Sequence, residues 1–319
     1  MKKIVVLDGY TLNPGDLDWQ YLHQLGKVEI YDRTPPELVA ARAAGAEIVL
    51  TNKSLLSAAT IAFLPALRYI GVMATGYNVV DIAAAKKAGI IVTNVPAYGT
   101  ATVAQFTFAL ILELCHHVGI HDQSVKAGDW SRQPDFSYWK TPMMELAGKV
   151  LGIVGLGKIG QAVAAIAQVF GMKVIAHHRH PERDALEGIT FASLDDCFRQ
   201  SDFISLHCPL KADNYEFVNK GLLQIMKPTA YLINTSRGPL IREQDLADAL
   251  NEGIIAGAAL DVLSIEPPQA GHPLLSAKNC LLTPHIAWAT REARQRLLNT
   301  VVDNLDSFIA GQVKNQITM

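Results

Sequence analysis

The segment KVLGIVGLGKIGQAVAAIAQVFG, residues 149–171, contains the most specific structural pattern in this sequence. An apolar, β-branched run ends at a G-x-G-x-x-G turn formed by Gly155, Gly157 and Gly160, and an Ala-rich helical stretch follows. Between a strand and a helix this spacing predicts a phosphate-binding turn. Gly155 permits the tight turn, Gly157 lets the backbone approach a pyrophosphate, and Gly160 lets helix and strand pack closely. A glycine-rich turn without a ligand is the alternative.

The helix that follows this turn begins with Lys158 and Ile159. Backbone N–H groups at a helix N-terminus, together with the positive end of the helix dipole, favour a bound anion. We therefore expect one group of backbone positions to hold the phosphates of a dinucleotide: Gly155, Gly157, Lys158, Ile159 and Gly160.

Strand-like and helix-like patterns alternate along the rest of the chain in two series. The first contains KIVVLD, EIVLTN, LRYIGVM and GIIVTNV, and the second begins near Lys149 and contains six strands. Such alternation predicts parallel sheets covered by helices. We expect an α/β fold with two doubly wound parallel-sheet domains, a Rossmann cofactor domain (99–287) inserted in a flavodoxin-like substrate domain (1–98 and 288–319), and a cleft between them.

Three further segments complete this outline. Residues 101–120 suit one long, mostly buried helix, and the Trp-bearing residues 126–148 suit an extended arm. Residues 291–311 read as an amphipathic helix that returns to the first domain. The long helix and the arm are expected to form a homodimer interface.

Composition excludes several classes of protein. The 319 residues are 50% hydrophobic and 18% charged, with a formal net charge of −2, so neither nucleic acid nor an anionic membrane is expected as a partner. No apolar run reaches 18 residues, so no transmembrane helix is expected. The four cysteines have no paired spacing and indicate reduced thiols in the cytoplasm. No metal site is predicted.

The segment MKVIAHHRHPER, residues 172–183, bears on the choice of cofactor. An acidic residue normally stands about 20 residues past the glycines and holds the adenosine ribose; here that position falls at His178, followed by Arg179. A guanidinium binds a phosphate well, so NADP(H) is favoured and NAD(H) stays possible. A shared metal at His177 and His178 is disfavoured because neighbouring strand residues point to opposite faces. A solvated basic strand end remains an alternative.

Three stretches follow later strands of the second series: LINTSRGPL, AALDVLSIEPP and LLTPHIAW. They place Arg237, Glu266 and His285 at the edge where ligands bind in open α/β sheets. Arg237 suits a substrate carboxylate, His285 suits proton transfer, and Glu266 suits the second nitrogen of that imidazole. The alternatives are a strand-end salt bridge for Arg237, a solvated turn for Glu266 and a packed loop for His285.

In these motifs, with LHCPL and GAALDV in the same order, the chain resembles the D-isomer-specific 2-hydroxyacid dehydrogenase family over essentially its whole length. HIAWAT and SIEPP look closest to its glycerate dehydrogenase (hydroxypyruvate reductase) branch. The resemblance implies that Arg237 binds substrate, that Glu266 orients His285, and that His285 is the acid/base and also contacts substrate. It implies further substrate contacts from the backbone of one loop: Ala74, Thr75 and Gly76.

The resemblance also implies further cofactor contacts. Asp261 is expected to meet the nicotinamide carboxamide, and His178 and Arg179 to lie at the ribose. His207, at the adenine side, and Cys208 are expected to pack beside the cofactor without a catalytic role. The remaining positions line the cofactor cleft: Pro209, Thr235 and Ser236.

The expected activity is hydride transfer between NAD(P)H and a small 2-keto acid or D-2-hydroxy acid, with hydroxypyruvate or glyoxylate first. Alternatives are another dehydrogenase of this family, such as a D-lactate or phosphoglycerate type, or a dinucleotide-sensing regulator on the same fold. A formate-type enzyme is disfavoured because the resemblance implies Gln rather than Glu at position 266 for that chemistry.

Overall fold

The computed structural model describes residues 1–184 and 186–318. The chain divides into two compact units, one comprising Met1–Gly99 with Ala289–Met319 and the other Thr100–Trp288. Each unit contains one parallel β-sheet. The predicted fold class, two parallel-sheet α/β domains, is confirmed.

The strands of the first unit are β1 to β5: Lys3–Val6, Lys27–Ile30, Ile48–Thr51, Tyr69–Val72 and Ile91–Thr93. The strands of the second unit are β6 to β12: Val150–Val154, Lys173–His177, Ile189–Phe191, Phe203–Leu206, Tyr231–Asn234, Gly257–Leu260 and Cys280–Leu282. The α-helices in the described part of the chain are α1 to α11: Gln20–His23, Val39–Arg42, Ala58–Ala62, Ile82–Lys87, Thr100–His116, Val118–Lys126, Lys158–Val169, Leu194–Gln200, Lys220–Gln224, Glu243–Asn251 and Arg291–Ile309.

The first sheet has the order β2-β1-β3-β4-β5, which is the flavodoxin-like doubly wound order. Its central strands β3 and β4 are buried along their whole length, as strands covered on both faces must be. On one face Tyr69 of β4 packs against Phe308 of α11, with ring centroids 4.7 Å apart. The C-terminal helix α11 therefore packs against this sheet, although some 220 residues of sequence separate it from β4.

The second sheet has the order β12-β11-β10-β9-β6-β7-β8. Counted from β6 this is the 3-2-1-4-5-6 order of a dinucleotide-binding fold with one more strand at the edge. Alternate strand residues feed two cores. Ile204 and Leu232 face the cluster that includes α8 to α10, whereas Phe203 and Ile233 face the cluster that includes α5 and α7.

Side-chain caps define several helix starts. Asp81 accepts the Ala84 N–H at 2.9 Å at the start of α4, and Ser193 accepts the Asp196 N–H at 3.1 Å at the start of α8. Thr290 does the same for Ala293 at the start of α11. Each such cap satisfies a backbone donor that the helix itself leaves unpaired.

The predicted single helix over residues 101–120 is wrong. The structure has α5 and α6 there, bent by 56° around His117, whose φ of +47° ends the first helix. The left-handed residue is a histidine, and Gly119, two residues later, lies inside α6. Within residues 1–184 and 186–318 the second sheet has seven strands rather than the predicted six, because the three-residue β8 pairs with β7 at the edge.

Within residues 1–184 and 186–318, no single helix has both the length and the apolar character needed to cross a membrane. The bent pair α5 and α6 meets this criterion only when the two helices are taken together.

Candidate active site

The glycine turn joins β6 to α7 with the geometry that a pyrophosphate needs. Gly155 has φ +99°, and a Cβ there would lie 2.6 Å from the backbone nitrogen of Cys208. A Cβ on Gly160 would lie 2.2 Å from the Gly155 carbonyl oxygen, so both positions exclude a side chain. At Gly157 a Cβ would meet no atom within 4 Å, so this glycine leaves open space in front of the helix.

The helix beyond this turn offers free backbone donors. Gly157 is the N-cap of α7 and supplies no side-chain cap, and the first bond of the helix runs from the Gln161 N–H to the Gly157 carbonyl at 2.9 Å. The N–H groups of Lys158, Ile159 and Gly160 therefore precede the helical ladder, at the positive end of the dipole. The residues present at this turn fit a dinucleotide phosphate group.

His178 lies at the end of β7 and is tied to the glycine turn. Its Nδ1 accepts the Leu156 N–H at 3.1 Å, so the ring proton is on Nε2, which donates to Asp184 Oδ2 at 2.6 Å. The Arg183 guanidinium, followed by His178, lowers the pKa of Asp184 to about 2. An acidic group thus stands near the predicted ribose position, but six residues later than the sequence pattern indicates; it pairs with the Arg183 guanidinium and accepts a hydrogen bond from His178.

Arg179, the residue after His178, has a different partner. Its guanidinium pairs with Asp213 in the segment after β9, and both side chains are more than half exposed. Among the residues that the structure describes, no group of three or more His, Cys, Asp or Glu side chains is arranged to hold a metal ion.

The segments after β9 and β10 contact each other. Ser236 Oγ donates to the Cys208 carbonyl at 2.7 Å, and the hydroxyls of Thr235 and Thr107 lie 3.2 Å apart, which links β10 to α5. Burial raises the pKa of the Cys208 thiol to about 11, so this thiol is a poor nucleophile. Pro209 is exposed at the same edge.

His207 is a neutral histidine at neutral pH. Burial lowers its pKa to about 4, and its Nε2 lies 2.8 Å from the fully buried hydroxyl of Ser205. Its backbone N–H donates to the Val154 carbonyl at 2.8 Å, next to the glycine turn. These contacts suit a residue that shapes the sheet edge.

Glu266 and His285 meet although 19 residues separate them. His285 Nδ1 lies 2.6 Å from Glu266 Oε2, with the two side chains 28% and 31% exposed. Glu266 Oε1 accepts the Leu263 N–H at 3.1 Å, so this carboxylate is also bound to its own loop. The pair leaves His285 Nε2 as the nitrogen for a substrate and allows proton transfer through it.

Arg237 follows β10 and is half-buried. Its Nη1 donates to the Ser236 carbonyl at 2.6 Å, and its own carbonyl accepts from Asn234 Nδ2 at 2.8 Å. The next residue, Gly238, lies against the segment after β11: a Cβ there would be 2.0 Å from the carbonyl carbon of Leu263. The loops that carry Arg237 and Glu266 are therefore in backbone contact.

Asp261 has a role that the sequence does not indicate. It is 1% exposed, and its Oδ1 accepts the Thr283 hydroxyl at 2.6 Å and the Ile286 N–H at 2.9 Å. Its Oδ2 accepts the Ala287 N–H at 2.8 Å. Burial raises the pKa of this carboxyl, against the opposing effect of these donors. Asp261 anchors the segment that contains His285.

In the first unit, the predicted substrate loop lies after β4. The hydroxyl of Thr75 donates to the Val95 carbonyl at 2.8 Å, and Asn94 Nδ2 donates to the Thr75 carbonyl at 2.7 Å. The Val95 N–H donates to Ala74, so the segment after β5 holds the loop in place. The backbone next to Gly76 is thereby fixed from a neighbouring strand end.

Comparison with known proteins identifies the family of this chain. Residues 108–287 match the family model of the D-isomer specific 2-hydroxyacid dehydrogenase NAD-binding domain. A hydroxypyruvate reductase from Blautia hydrogenotrophica is 50% identical, and a glycerate dehydrogenase from Methylorubrum extorquens is 38% identical; in each comparison 99% of both chains is covered.

Solved structures of proteins from this family also resemble the fold of this chain. An NADPH-dependent glyoxylate/hydroxypyruvate reductase from Sinorhizobium meliloti, solved with citrate, superposes with a TM-score of 0.86 at 29% identity, covering 100% of this chain and 98% of the other. The family model spans more than half of the sequence, and the identity to the Blautia protein extends over nearly all of it. This chain belongs to the D-isomer-specific 2-hydroxyacid dehydrogenase family, a family of NAD(P)-dependent oxidoreductases.

Proposed function

We propose that this oxidoreductase reduces hydroxypyruvate and glyoxylate, and oxidises the corresponding D-2-hydroxy acids in reverse. The observation that carries the proposal is the 2.6 Å contact between His285 Nδ1 and Glu266 Oε2 on the unit that also holds the glycine turn. Full-length similarity to a protein named hydroxypyruvate reductase supports this substrate class. A carboxylate-bearing substrate also suits the half-buried Arg237.

Each residue in the proposal has a distinct task. Arg237 pairs with the substrate carboxylate and the C2 oxygen, which fixes the keto acid in one orientation. His285 gives a proton from Nε2 to the C2 oxygen, and Glu266 holds the ring and stabilises its protonated form. The backbone of Ala74, Thr75 and Gly76 contributes N–H groups to the carboxylate. NAD(P)H, when bound, supplies the hydride.

The cofactor would be held by the N–H groups at the start of α7, with NADP(H) preferred over NAD(H). In support, His178 stands where a ribose-binding carboxylate is usual. Asp184, the nearby acid, is already paired with the Arg183 guanidinium and hydrogen-bonded to His178. Arg179, the residue after His178, is exposed and pairs with Asp213 at the surface; such pairs contribute little free energy, so exchanging Asp213 for a 2′-phosphate would cost its guanidinium little.

The test follows NAD(P)H oxidation with hydroxypyruvate, glyoxylate, pyruvate and a phosphorylated hydroxypyruvate. We expect kcat/KM to be highest for hydroxypyruvate or glyoxylate and higher with NADPH than with NADH. A preference for pyruvate or for the phosphorylated substrate would replace the proposed activity by a D-lactate or phosphoglycerate type. Cofactor binding without turnover of any keto acid would indicate a sensor.

The proposal includes a homodimer in the cytoplasm. Aromatic side chains in the arm are exposed in the single chain, including Trp130 at 51% and Trp139 at 66%, and burying them in a second copy would remove apolar surface from water. The four cysteines are free thiols, which suits a reducing compartment. Sedimentation equilibrium of the purified protein measures the oligomeric state, and a monomer would contradict this part of the proposal.

A further inference from the structure

The loop that carries Glu266 runs from Asp261, after β11, to His272, before the short 3-10 helix Pro273–Leu275. Residues 264–271 of this loop are all exposed. Apolar burial therefore contributes little to fixing their position, although Glu266 must be placed to within a fraction of an ångström to hold an imidazole. Some polar contact has to fix the loop.

That contact comes from Glu243, the first residue of α10. Its Oε1 accepts the Ser264 N–H at 2.7 Å, just before Glu266, and its Oε2 lies 3.1 Å from His272 Nε2, at the far end of the loop. The side chains of Glu243 and His272 are only 15% and 12% exposed. One carboxylate thus joins both ends of an exposed loop, and its place at a helix N-terminus stabilises its charge.

The hydrogen bonds of His272 assign its tautomer. Nδ1 accepts the Leu274 N–H at 3.4 Å and caps the 3-10 helix, so the ring proton is on Nε2 and is donated to Glu243. The imidazole therefore connects the 3-10 helix to α10 as a neutral bridge. Both of its nitrogens are used in structural contacts.

A path of direct contacts leads from Glu243 to His285. Ser264, held by Glu243, follows Leu263, whose N–H binds Glu266 Oε1 at 3.1 Å, and Glu266 Oε2 meets His285 Nδ1. Gly238 restrains the same peptide from the other side, since a Cβ there would lie 2.3 Å from the Ser264 nitrogen. A displaced Ser264 would therefore displace Glu266.

We propose that Glu243, bridged to His272, is a positioning residue that sets the orientation of Glu266 and so of the His285 ring. This inference rests on the proposed function, because it takes Glu266 and His285 as the proton-transfer pair. Glu243 lies in α10 and acts through the loop, so its removal should affect the proton-transfer step more than cofactor binding.

The first experiment compares Glu243→Gln with Glu252→Gln. Glu252 is an exposed carboxyl at the opposite end of α10 and serves as the matched control. In Glu243→Gln, the amide places an N–H donor opposite the Nε2–H donor of His272. The contact with His272 is therefore lost, while the amide oxygen can still accept the Ser264 N–H. We expect kcat for hydroxypyruvate reduction to fall about 10- to 100-fold, the effect of a misplaced catalytic group, with the KM for NADPH unchanged. A kcat equal to that of the control would overturn the proposal.

The second experiment separates positioning from general loss of structure. If Glu243 acts through Glu266, the two losses are not additive, and Glu243→Gln costs little further activity in a Glu266→Gln background. The alkaline limb of the kcat profile should also shift in the same direction in both single variants. Additive losses with an unshifted profile would show a merely structural role and refute the inference.

A third variant guards against misfolding of Glu243→Gln. His272→Asn keeps an oxygen near the position of Nδ1 for the Leu274 N–H but removes the contact with Glu243, so it opens only one end of the loop. We expect the same fall in kcat, smaller in size, and faster amide hydrogen exchange in residues 262–272. The exchange readout holds whether or not hydroxypyruvate is the substrate: unchanged exchange in both variants would refute the bridge, whereas failure of the wild type to turn over any keto acid would refute only the proposed function.

Discussion

Asp261 accepts the backbone N–H of Ala287 at 2.8 Å, two residues beyond His285. The same carboxylate accepts the hydroxyl of Thr283, two residues before it, at 2.6 Å. His285 itself has φ +55°, a left-handed conformation that is uncommon for a residue with a side chain and costs about 1–3 kcal/mol. Asp261 therefore holds the backbone on both sides of a strained residue, and this fixes the direction of the imidazole.

Asp261→Asn should weaken this arrangement without changing its shape. The amide nitrogen of Asn would face one of the three donors that the carboxylate accepts. We expect a loss of about 1–3 kcal/mol in stability from the unsatisfied donor, and a kcat reduced by about tenfold or more because the imidazole is no longer aligned. Urea unfolding and steady-state kinetics measure the two effects. Thr283→Val, which removes one donor, is the milder control, and an Asp261→Asn variant with wild-type kcat would contradict the assigned role.

His285→Gln tests the proton donor directly. Glutamine keeps a polar group near Glu266 but cannot transfer a proton, so we expect kcat to fall by about 10²- to 10⁴-fold. Reduction needs the protonated imidazole, so the wild-type rate should decline as the pH rises, whereas oxidation of the hydroxy acid needs the neutral ring and should decline as the pH falls. Rates of both directions across pH 5–10 check the sign. A reduction rate without an alkaline decline, or near-normal activity of the variant, would exclude His285.

Much of the fold could be predicted from sequence because its signals are local. The strand before Gly155, the glycine turn and the Ala-rich helix lie within 23 residues. The periodicity of the apolar residues and the spacing of the glycines are enough to identify them. The segments β2 and β8 were missed because both are short edge strands with polar residues. The break at His117 is hard to predict because the left-handed residue is a histidine and the nearby Gly119 lies inside α6.

Residue type and strand-end position predict Arg237, Glu266 and His285 as site residues, and the structure places Glu266 and His285 in contact. The residues that hold these groups were not predictable. Glu243 reaches Ser264 across 21 residues and His272 across 29, and only the packing of α10 beside the loop brings them together. Asp184 was not predictable for a similar reason. The strand-end spacing indicates residue 178, whereas the acidic side chain that contacts His178 belongs to the following turn.

His178→Asp should change the choice of cofactor. A carboxylate at the end of β7 would bind ribose hydroxyls and repel a 2′-phosphate, in addition to Asp184. We expect the ratio of kcat/KM for NADPH to that for NADH to fall by about tenfold or more, which corresponds to about 1.4 kcal/mol. His180→Asp, at an exposed position two residues later, is the matched control for added charge. If both variants keep the wild-type ratio, the ribose does not lie at residue 178.

The stability of the first unit should depend on pH through Asp16 and Arg294. Arg294 of α11 forms a two-point pair with Asp16, with both N–O distances 2.7 Å, and its guanidinium is mostly buried. The Arg294 hydrogen bonds lower the pKa of Asp16, against an opposing effect of burial. Because the folded pKa of Asp16 lies below the unfolded value of about 3.9, the pair stabilises the protein fully above that pH and progressively less as the pH falls through the folded pKa.

Asp16→Asn should therefore lower the urea midpoint by a constant amount at pH 6–8 and by less near pH 3. Asp303→Asn, which removes an exposed pair with Lys314, should change the midpoint little at any pH. A difference between Asp16→Asn and wild type that grows as the pH falls would have the wrong sign for this pair, and would show that Asp16 does not stabilise the folded protein as a carboxylate.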